Sequence, residues 1–118
     1  PLLHPSVVRG RDVELDRGAI ICAGTVLTTD ITFGKHVLVN VGCTVTHDCT
    51  LGDYATLSPG CRLSGNCSVG KPVFIGTAAC LREKTRVDDE GVMGLGGVVV
   101  DSRTEIGIYI GSPARRRR

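Results

Sequence analysis

Aromatic side chains are nearly absent from this sequence. Its 118 residues include two phenylalanines, two tyrosines and no tryptophan. Hydrophobic residues still make up 42% of the chain, more than a disordered segment contains. A core must therefore be assembled from small aliphatic side chains and cysteine, without the aromatic anchors on which most domains of this size rely. This composition, with 16 glycines, predicts a thin interior and many tight turns.

A strong excess of charge and long apolar runs are also lacking. The chain carries 14 Lys and Arg against 12 Asp and Glu, and the basic residues include the whole of the terminal run 115–118. With so few stacking aromatics and no basic face, nucleic-acid binding is not expected. No apolar run approaches the roughly 20 residues that span a bilayer, and the chain does not begin with a signal segment. We therefore expect a single cytoplasmic domain with no nucleic-acid or membrane partner.

A six-residue repeat runs through nearly the whole chain. Stepping by six from Leu3 to Val99 gives an apolar anchor at every position except Arg9, and the residue four positions after each anchor is small or β-branched. A period of six fits neither an amphipathic helix nor an alternating strand. It fits a parallel β-helix, in which short strands stack and point the anchor and the small residue inward. The register decays after Val99, where a terminal turn is expected.

Glycine often follows the anchor directly. Because glycine tolerates backbone conformations that other residues resist, we expect these glycines to form the turns. They are Gly10, Gly34, Gly52, Gly70, Gly76 and Gly94.

The hexads, such as LGDYAT at residues 51–56, resemble those of the hexapeptide-repeat acyltransferases. The resemblance implies an all-β fold, a left-handed parallel β-helix of five to six triangular coils, with three hexads in each coil of about 18 residues. It divides the single β-helix domain, residues 1–118, into coils over residues 3–100 and a C-terminal turn with a basic tail over 101–118.

Four of the six cysteines occupy the small inward position. With that coil length, Cys43 stacks on Cys61 and Cys49 on Cys67. The side chains of stacked cysteines would run parallel, which is a poor match to the dihedral angle of a disulfide. No Cys-x-x-Cys pair is present to bind zinc. We interpret these thiols as small core residues in a reducing compartment.

His47 and Asp48 are the strongest candidates for chemistry. They fall at a turn, where two adjacent side chains can approach, and a carboxylate stabilises the imidazolium that a histidine general base forms. One coil further on, Gly65 leaves a groove beside His47 in which a ligand can lie against backbone amides; alternatively, Gly65 only makes a turn. Asn40 bonds to a substrate amine, bonds to the His47 network, or forms part of a structural asparagine ladder.

A narrower resemblance rests on residues 40–53, 57–60 and 63–66, with HPSVV at 4–8 and GSPAR at 111–115. These segments are similar to the sugar-acetyltransferase branch, which includes sialic-acid O-acetyltransferases and UDP-amino-sugar N-acetyltransferases. The resemblance implies that His47 is the general base, that Asp48 supports its charge and that Asn40 lines the acceptor side. It implies direct transfer, so Cys49 is not a nucleophile.

The same resemblance implies acetyl-CoA as co-substrate, with no metal. Gly65, Gly76 and Thr77 would contact the pantetheine arm, and Gly94 and Pro113 would lie toward the nucleotide end. It also implies a homotrimer with each site between two subunits, acting on a small-molecule sugar acceptor.

Two features depart from that branch. Thr56 stands where a second histidine often follows the base, and the N-terminal half that binds the nucleotide-sugar is absent from this sequence. The alternative interpretation is therefore a non-catalytic trimeric β-helix module, or an inactive homologue without its acceptor-binding domain.

Overall fold

The computed structural model describes residues 1–117. Every regular element in that range is a β-strand, most of them two residues long, and no helix in it is long and apolar enough to cross a membrane. The strands are β1 (Leu2–Leu3), β2 (Val8–Arg9), β3 (Val13–Leu15), β4 (Ile20–Ile21), β5 (Val26–Leu27), β6 (Ile31–Phe33), β7 (Leu38–Val39), β8 (Thr44–Val45), β9 (Thr50–Leu51), β10 (Thr56–Leu57), β11 (Arg62–Leu63), β12 (Ser68–Val69), β13 (Phe74–Ile75), β14 (Cys80–Leu81), β15 (Arg86–Val87), β16 (Val92–Met93), β17 (Val98–Val99), β18 (Ile108–Ile110) and β19 (Arg115–Arg116).

The strands form three sheets that run along a prism of 40 × 21 × 20 Å. Sheet A has the order β1-β4-β7-β10-β13-β16-β18-β19, sheet B the order β17-β14-β11-β8-β5-β2, and sheet C the order β15-β12-β9-β6-β3. Up to β17, paired strands are parallel and lie three apart in chain order, and Thr44 lies opposite Arg62, 18 residues on. The predicted all-β parallel β-helix is confirmed, with about six turns.

Three corners connect the sheets, and each recurs once per turn. Corner AB contains residues 40–42 and their equivalents 18 residues apart, corner BC contains residues 46–48, and corner CA contains residues 52–54. Corner backbone amides bond to the preceding turn: the Asp48 N–H donates to Thr29 O at 3.3 Å, and the Asn66 N–H donates to His47 O at 2.9 Å. The corners are therefore held in register by hydrogen bonds along the prism.

The core is one continuous column of the anchors and small residues that the repeat predicts. Anchors from Ile21 to Val99 are buried, while Leu3 and Leu15 at the first turn are only partly buried and Arg9 is exposed. Phe33 is the largest fully buried side chain. Burial of apolar surface stabilises this column at roughly 25 cal/mol per Å², and the narrow triangular section explains why so few aromatic residues occur.

The last turn departs from the repeat. Met93 lies opposite Tyr109 and Val87 opposite Arg103, so these pairs are 16 rather than 18 residues apart. The chain then makes a turn over residues 111–114, as expected, and β19 pairs antiparallel with β18. The end of the predicted basic tail, Arg118, lies outside the described residues.

The expected role of the glycines that follow the anchors is wrong. None of them has a positive φ; at most of these corners the left-handed residue lies two positions after the glycine, as at Tyr54 (φ 61°) after Gly52 and Ala78 (φ 60°) after Gly76. These glycines are needed because the next turn packs directly on them. A Cβ on Gly52 would lie 2.9 Å from the carbonyl carbon of Gly70, and one on Gly76 would lie 2.6 Å from the amide nitrogen of Leu95.

All six cysteines are free thiols, and the four inward ones are buried. Each buried thiol donates to the carbonyl 15 residues further on, as from Cys43 to Ser58 O at 3.2 Å and from Cys61 to Gly76 O at 3.1 Å. Thr25 uses its hydroxyl in the same way, donating to Asn40 O at 3.0 Å. The inward cysteines therefore fill the core and also satisfy corner carbonyls, a role that their sequence position did not reveal.

Candidate active site

His47 and Asp48 form the most reactive pair on the surface. The strand β8 ends at Val45, and the corner that follows turns both side chains outward. The His47 Nδ1 atom lies 2.8 Å from Asp48 Oδ2, and the two side chains are 57% and 51% exposed, so a ligand can reach them. An ionised carboxylate only accepts hydrogen bonds, so Nδ1 carries the proton and Nε2 keeps its lone pair. This is the arrangement that a general base requires.

The backbone of Asp48 explains how adjacent side chains come together. Asp48 has a φ of 59°, a left-handed conformation that Asp and Asn tolerate better than most residues. The equivalent corner positions are occupied by Asp12, Asp30, Asn66 and Lys84, all with positive φ. An aspartate suits this backbone conformation, and the hydrogen bond to His47 distinguishes Asp48 from the other residues of the series.

Gly65 lies one turn above His47 and is buried. A Cβ on Gly65 would overlap the Cε1 and Nε2 atoms of His47 and lie 3.1 Å from its Cδ2 atom. The imidazole ring thus occupies the space that the missing side chain leaves, where the sequence predicted an open groove. Gly65 seats the ring of His47, and its carbonyl accepts the Lys84 N–H at 2.9 Å.

The other predicted site residues lie at a different corner. Asn40, Gly76, Thr77 and Gly94 belong to corner AB, whereas His47 belongs to corner BC. Sheet B separates the two corners, so one chain does not bring these residues together.

Of the four predicted site residues at corner AB, Thr77 alone is exposed. Asn40 accepts the Val41 N–H through its Oδ1 atom at 2.8 Å. Gly76 is buried under the next turn, and a Cβ on Gly94 would lie 2.9 Å from the Cγ2 atom of Ile110. Thr77 is exposed and accepts the Gly96 N–H at 2.7 Å through its carbonyl.

Two further predicted positions lie elsewhere. Thr56 is the outward residue of β10 in sheet A, between Leu38 and Phe74 of the neighbouring strands. Pro113 is exposed in the turn that precedes β19. Neither residue approaches His47 within one chain, because sheet A and corner BC are on different sides of the prism.

Cys49 follows the candidate base but is not an activated nucleophile. The neighbouring Cys67 thiol and burial raise the pKa of the Cys49 thiol above its usual range. A thiol that stays protonated is a poor nucleophile.

The site holds no metal-binding cluster. Among residues 1–117, no group of three or more His, Cys, Asp or Glu side chains lies close enough to hold an ion. His36, the other histidine at a central turn, stacks on Tyr54 with ring centroids 5.4 Å apart. His36 is at corner CA, away from His47.

No family model and no curated protein matches the chain. Solved structures do match it. The acetyltransferase domain of PglB from Neisseria gonorrhoeae is 33% identical, with a TM-score of 0.96 over 98% of this chain and 57% of that one. WeeI from Acinetobacter baumannii is 31% identical, with a TM-score of 0.90 over 96% of this chain and 56% of that one.

A third match carries ligands. A histidine-to-alanine variant of GDP-perosamine N-acetyltransferase from Caulobacter crescentus, in complex with CoA and GDP-perosamine, is 31% identical, with a TM-score of 0.84 over 99% of this chain and 53% of that one. The chain thus spans little more than half the length of the structures it matches.

The fold and the corner site define a class, the hexapeptide-repeat β-helix proteins. Within that class, these matches confirm that the chain resembles the sugar acetyltransferases.

Proposed function

We propose that the chain is the acetyl-transfer domain of an acetyl-CoA-dependent enzyme that acts on an amino or hydroxyl group of a sugar, a nucleotide-sugar or a sialic acid. The observation that carries the proposal is the His47–Asp48 pair at 2.8 Å, seated on Gly65 at an exposed corner. Supporting it, similar structures contain acetyl-CoA, or CoA with GDP-perosamine.

The chemistry follows from the state of His47. Its Nε2 atom takes a proton from the acceptor nitrogen or oxygen as that atom bonds to the carbonyl carbon of the thioester. The carbon–sulfur bond then breaks, and CoA leaves as a thiolate that recovers the proton from the imidazolium. Asp48 stabilises the imidazolium between these two events, at Nδ1. No acyl-enzyme is formed.

The site would be completed by a second subunit of a homotrimer. The outward residues of sheet A are apolar and exposed at Leu2, Ile20, Phe74 and Ile108. Those of sheet C are polar: Glu14, Thr32, Thr50, Ser68 and Arg86. An exposed apolar face indicates an interface. We assign sheet A and corner AB to it, so that Asn40 and Thr77 of one copy would meet His47 of the next.

The roles at the two corners follow from this arrangement. His47 and Asp48 act on the acceptor, Asn40 lines the acceptor side, and Thr77 with Gly76 would contact the pantetheine arm. Gly94 and Pro113, nearer the C-terminal end, would lie toward the nucleotide. We assign acetyl transfer to this single β-helix domain and the choice of acceptor to the nucleotide-sugar-binding half that is usual in the family. The free cysteines fit a reducing compartment, and we propose the cytoplasm.

A titration with acetyl-CoA, followed by an assay of CoA release with UDP- and GDP-linked amino sugars, tests this function. We expect acetyl-CoA to bind and at least one acceptor to release CoA faster than the acceptor-free background. A complete failure to bind acetyl-CoA would instead identify the chain as a non-catalytic β-helix module.

A further inference from the structure

The inner side of corner BC changes in character at the turn that carries His47. One buried position follows this corner in every turn, and in the two turns below His47 it is apolar, occupied by Val13 and Ile31. In the next three turns the same position holds a side chain that can donate a hydrogen bond: Cys49, Cys67 and Thr85. The donors therefore begin in the turn of the candidate base, although the core accepts an aliphatic side chain at this position in the turns below.

The Cys49 thiol connects the two segments that hold the His47 ring. Its Sγ atom lies 3.7 Å from His47 O and 3.3 Å from Ser64 O, which is one turn above. A protonated thiol has a single hydrogen, so the shorter contact, to Ser64 O, takes it. Within residues 1–117, Ser64 O accepts no backbone N–H, so the thiol is its donor. Cys49 thus fixes the peptide group that joins Ser64 to Gly65.

The following peptide group is held as well. Gly65 O accepts the Lys84 N–H at 2.9 Å and lies 3.9 Å from the Cys67 Sγ atom. Gly65 is therefore fixed on both sides, from the interior and from the turn above. Its position matters because the imidazole of His47 rests on it so closely that a Cβ there would overlap the ring.

The His47 ring has few other contacts that orient it. Its side chain is 57% exposed, and its one side-chain hydrogen bond within residues 1–117 joins Nδ1 to Asp48. The surface of Gly65 and this hydrogen bond together set the plane of the ring. A shift of that surface changes the angle at which Nδ1 meets the carboxylate, and it changes the direction of the Nε2 lone pair by the same rotation.

We propose that Cys49 is a positioning residue for His47. Its thiol holds the Ser64–Gly65 peptide on which the imidazole rests, so that Nδ1 stays bonded to Asp48 and Nε2 faces the acceptor. Only the last of these consequences rests on the proposed function, because the state of the ring is measured without any reaction. A displacement of about 1 Å near a reacting group can reduce a rate roughly 100-fold, so a buried thiol can control an exposed base.

Nitrogen NMR of histidine-labelled protein tests the state of the ring, because the nitrogen chemical shifts distinguish an imidazole protonated at Nδ1 from one protonated at Nε2. We expect wild-type His47 to be held as the Nδ1–H form, and Cys49→Ala to populate both forms. Cys49→Ser should restore the wild-type spectrum, because a hydroxyl keeps the donor, as Thr25 does toward Asn40 O. Cys43→Ala, the same change behind corner AB, should leave the His47 signals unaltered.

Kinetics of the same variants test the consequence for the reaction. We expect Cys49→Ala to lower kcat roughly 10- to 100-fold with a smaller change in KM, since the thiol touches no substrate. Cys49→Ser should regain most of kcat, and Cys43→Ala should retain it. A merely structural role predicts equal losses in the two alanine variants, because each removes a buried thiol that donates to the carbonyl 15 residues further on.

The proposal is overturned if His47 keeps the Nδ1–H form in Cys49→Ala, or if Cys43→Ala changes the His47 signals equally. A wild-type protein that transfers no acetyl group would contradict the proposed function instead. The NMR comparison would still decide whether Cys49 positions His47, so the two proposals fail independently.

Discussion

At the scale of single residues, the functional corner is built from features that the fold already requires. Aspartate or asparagine recurs at the left-handed position of corner BC, and Asp48 is one member of that series. Asp48 differs from the others because its carboxylate lies 2.8 Å from the Nδ1 atom of His47. The sequence predicted the pair and its approach at a corner. It did not predict that the imidazole fills the space above Gly65, since that depends on the side-chain conformation.

The variant Asp48→Asn tests whether the negative charge of Asp48 matters apart from its preference for the left-handed backbone conformation. Asparagine keeps the left-handed conformation but loses the carboxylate that stabilises the imidazolium, and hydrogen bonds to charged groups contribute about 1.5–3 kcal/mol. We expect kcat to fall on the order of 10- to 100-fold, with the melting temperature unchanged. Asp30→Asn, at the same position one turn below, is the matched control and should leave kcat unaltered. Equal losses in the two variants would show that the contact between Asp48 and His47 is not the cause of the loss.

At the scale of the elements, the repeat register predicted nearly every inward residue. The anchors and the small residues are fixed by a period that holds from Leu3 to Val99, and this is why their burial follows from the sequence alone. Two properties did not follow. The glycines after the anchors serve close packing between turns, and the final pairing of Met93 with Tyr109 skips two residues. Both depend on contacts between turns, which the period does not specify.

The buried thiols give a stability test at this scale. Cys61→Ala removes a thiol that donates to Gly76 O at 3.1 Å and leaves a small cavity. We expect the free energy of unfolding to fall by about 1–3 kcal/mol. Cys61→Ser should lose less, because a hydroxyl keeps the donor, as Thr25 does at its own position. Cys80→Ala, at a half-exposed site, is the control.

Chemical denaturation of the four proteins measures these differences. The interpretation of the thiols as donors would be wrong if the serine variant proved less stable than the alanine variant.

At the scale of the whole molecule, the prism places its predicted site residues at two corners that sheet B keeps apart. Asn40 and Thr77 lie at corner AB, while His47 lies at corner BC. The resemblance to the sugar acetyltransferases implied both groups and a site between two subunits, whereas the spacing of the residues did not show that sheet B keeps the two corners apart within one chain. An assembly in which sheet A packs against another copy accounts both for the split site and for the exposed apolar residues of that sheet.

Phe74→Asp tests this assembly. Phe74 is an outward residue of sheet A and is 46% exposed in one chain, so a charge there would be buried without a partner in the trimer. Light scattering should show a monomer with little or no transfer activity. Ser68→Asp, on sheet C in the same turn, should remain trimeric and active. A trimeric Phe74→Asp protein would exclude sheet A from the interface.

The central claim is that His47 acts as the general base for acetyl transfer, and kcat of the His47→Ala protein tests it most directly. General acid–base catalysis contributes about 10²- to 10⁴-fold, so we expect kcat to fall by that factor. Affinity for acetyl-CoA should be unchanged, because the proposal assigns His47 to the acceptor and not to CoA. His36→Ala, which changes a histidine stacked on Tyr54 at corner CA, should keep wild-type kcat. A His47→Ala protein with wild-type kcat would contradict the account.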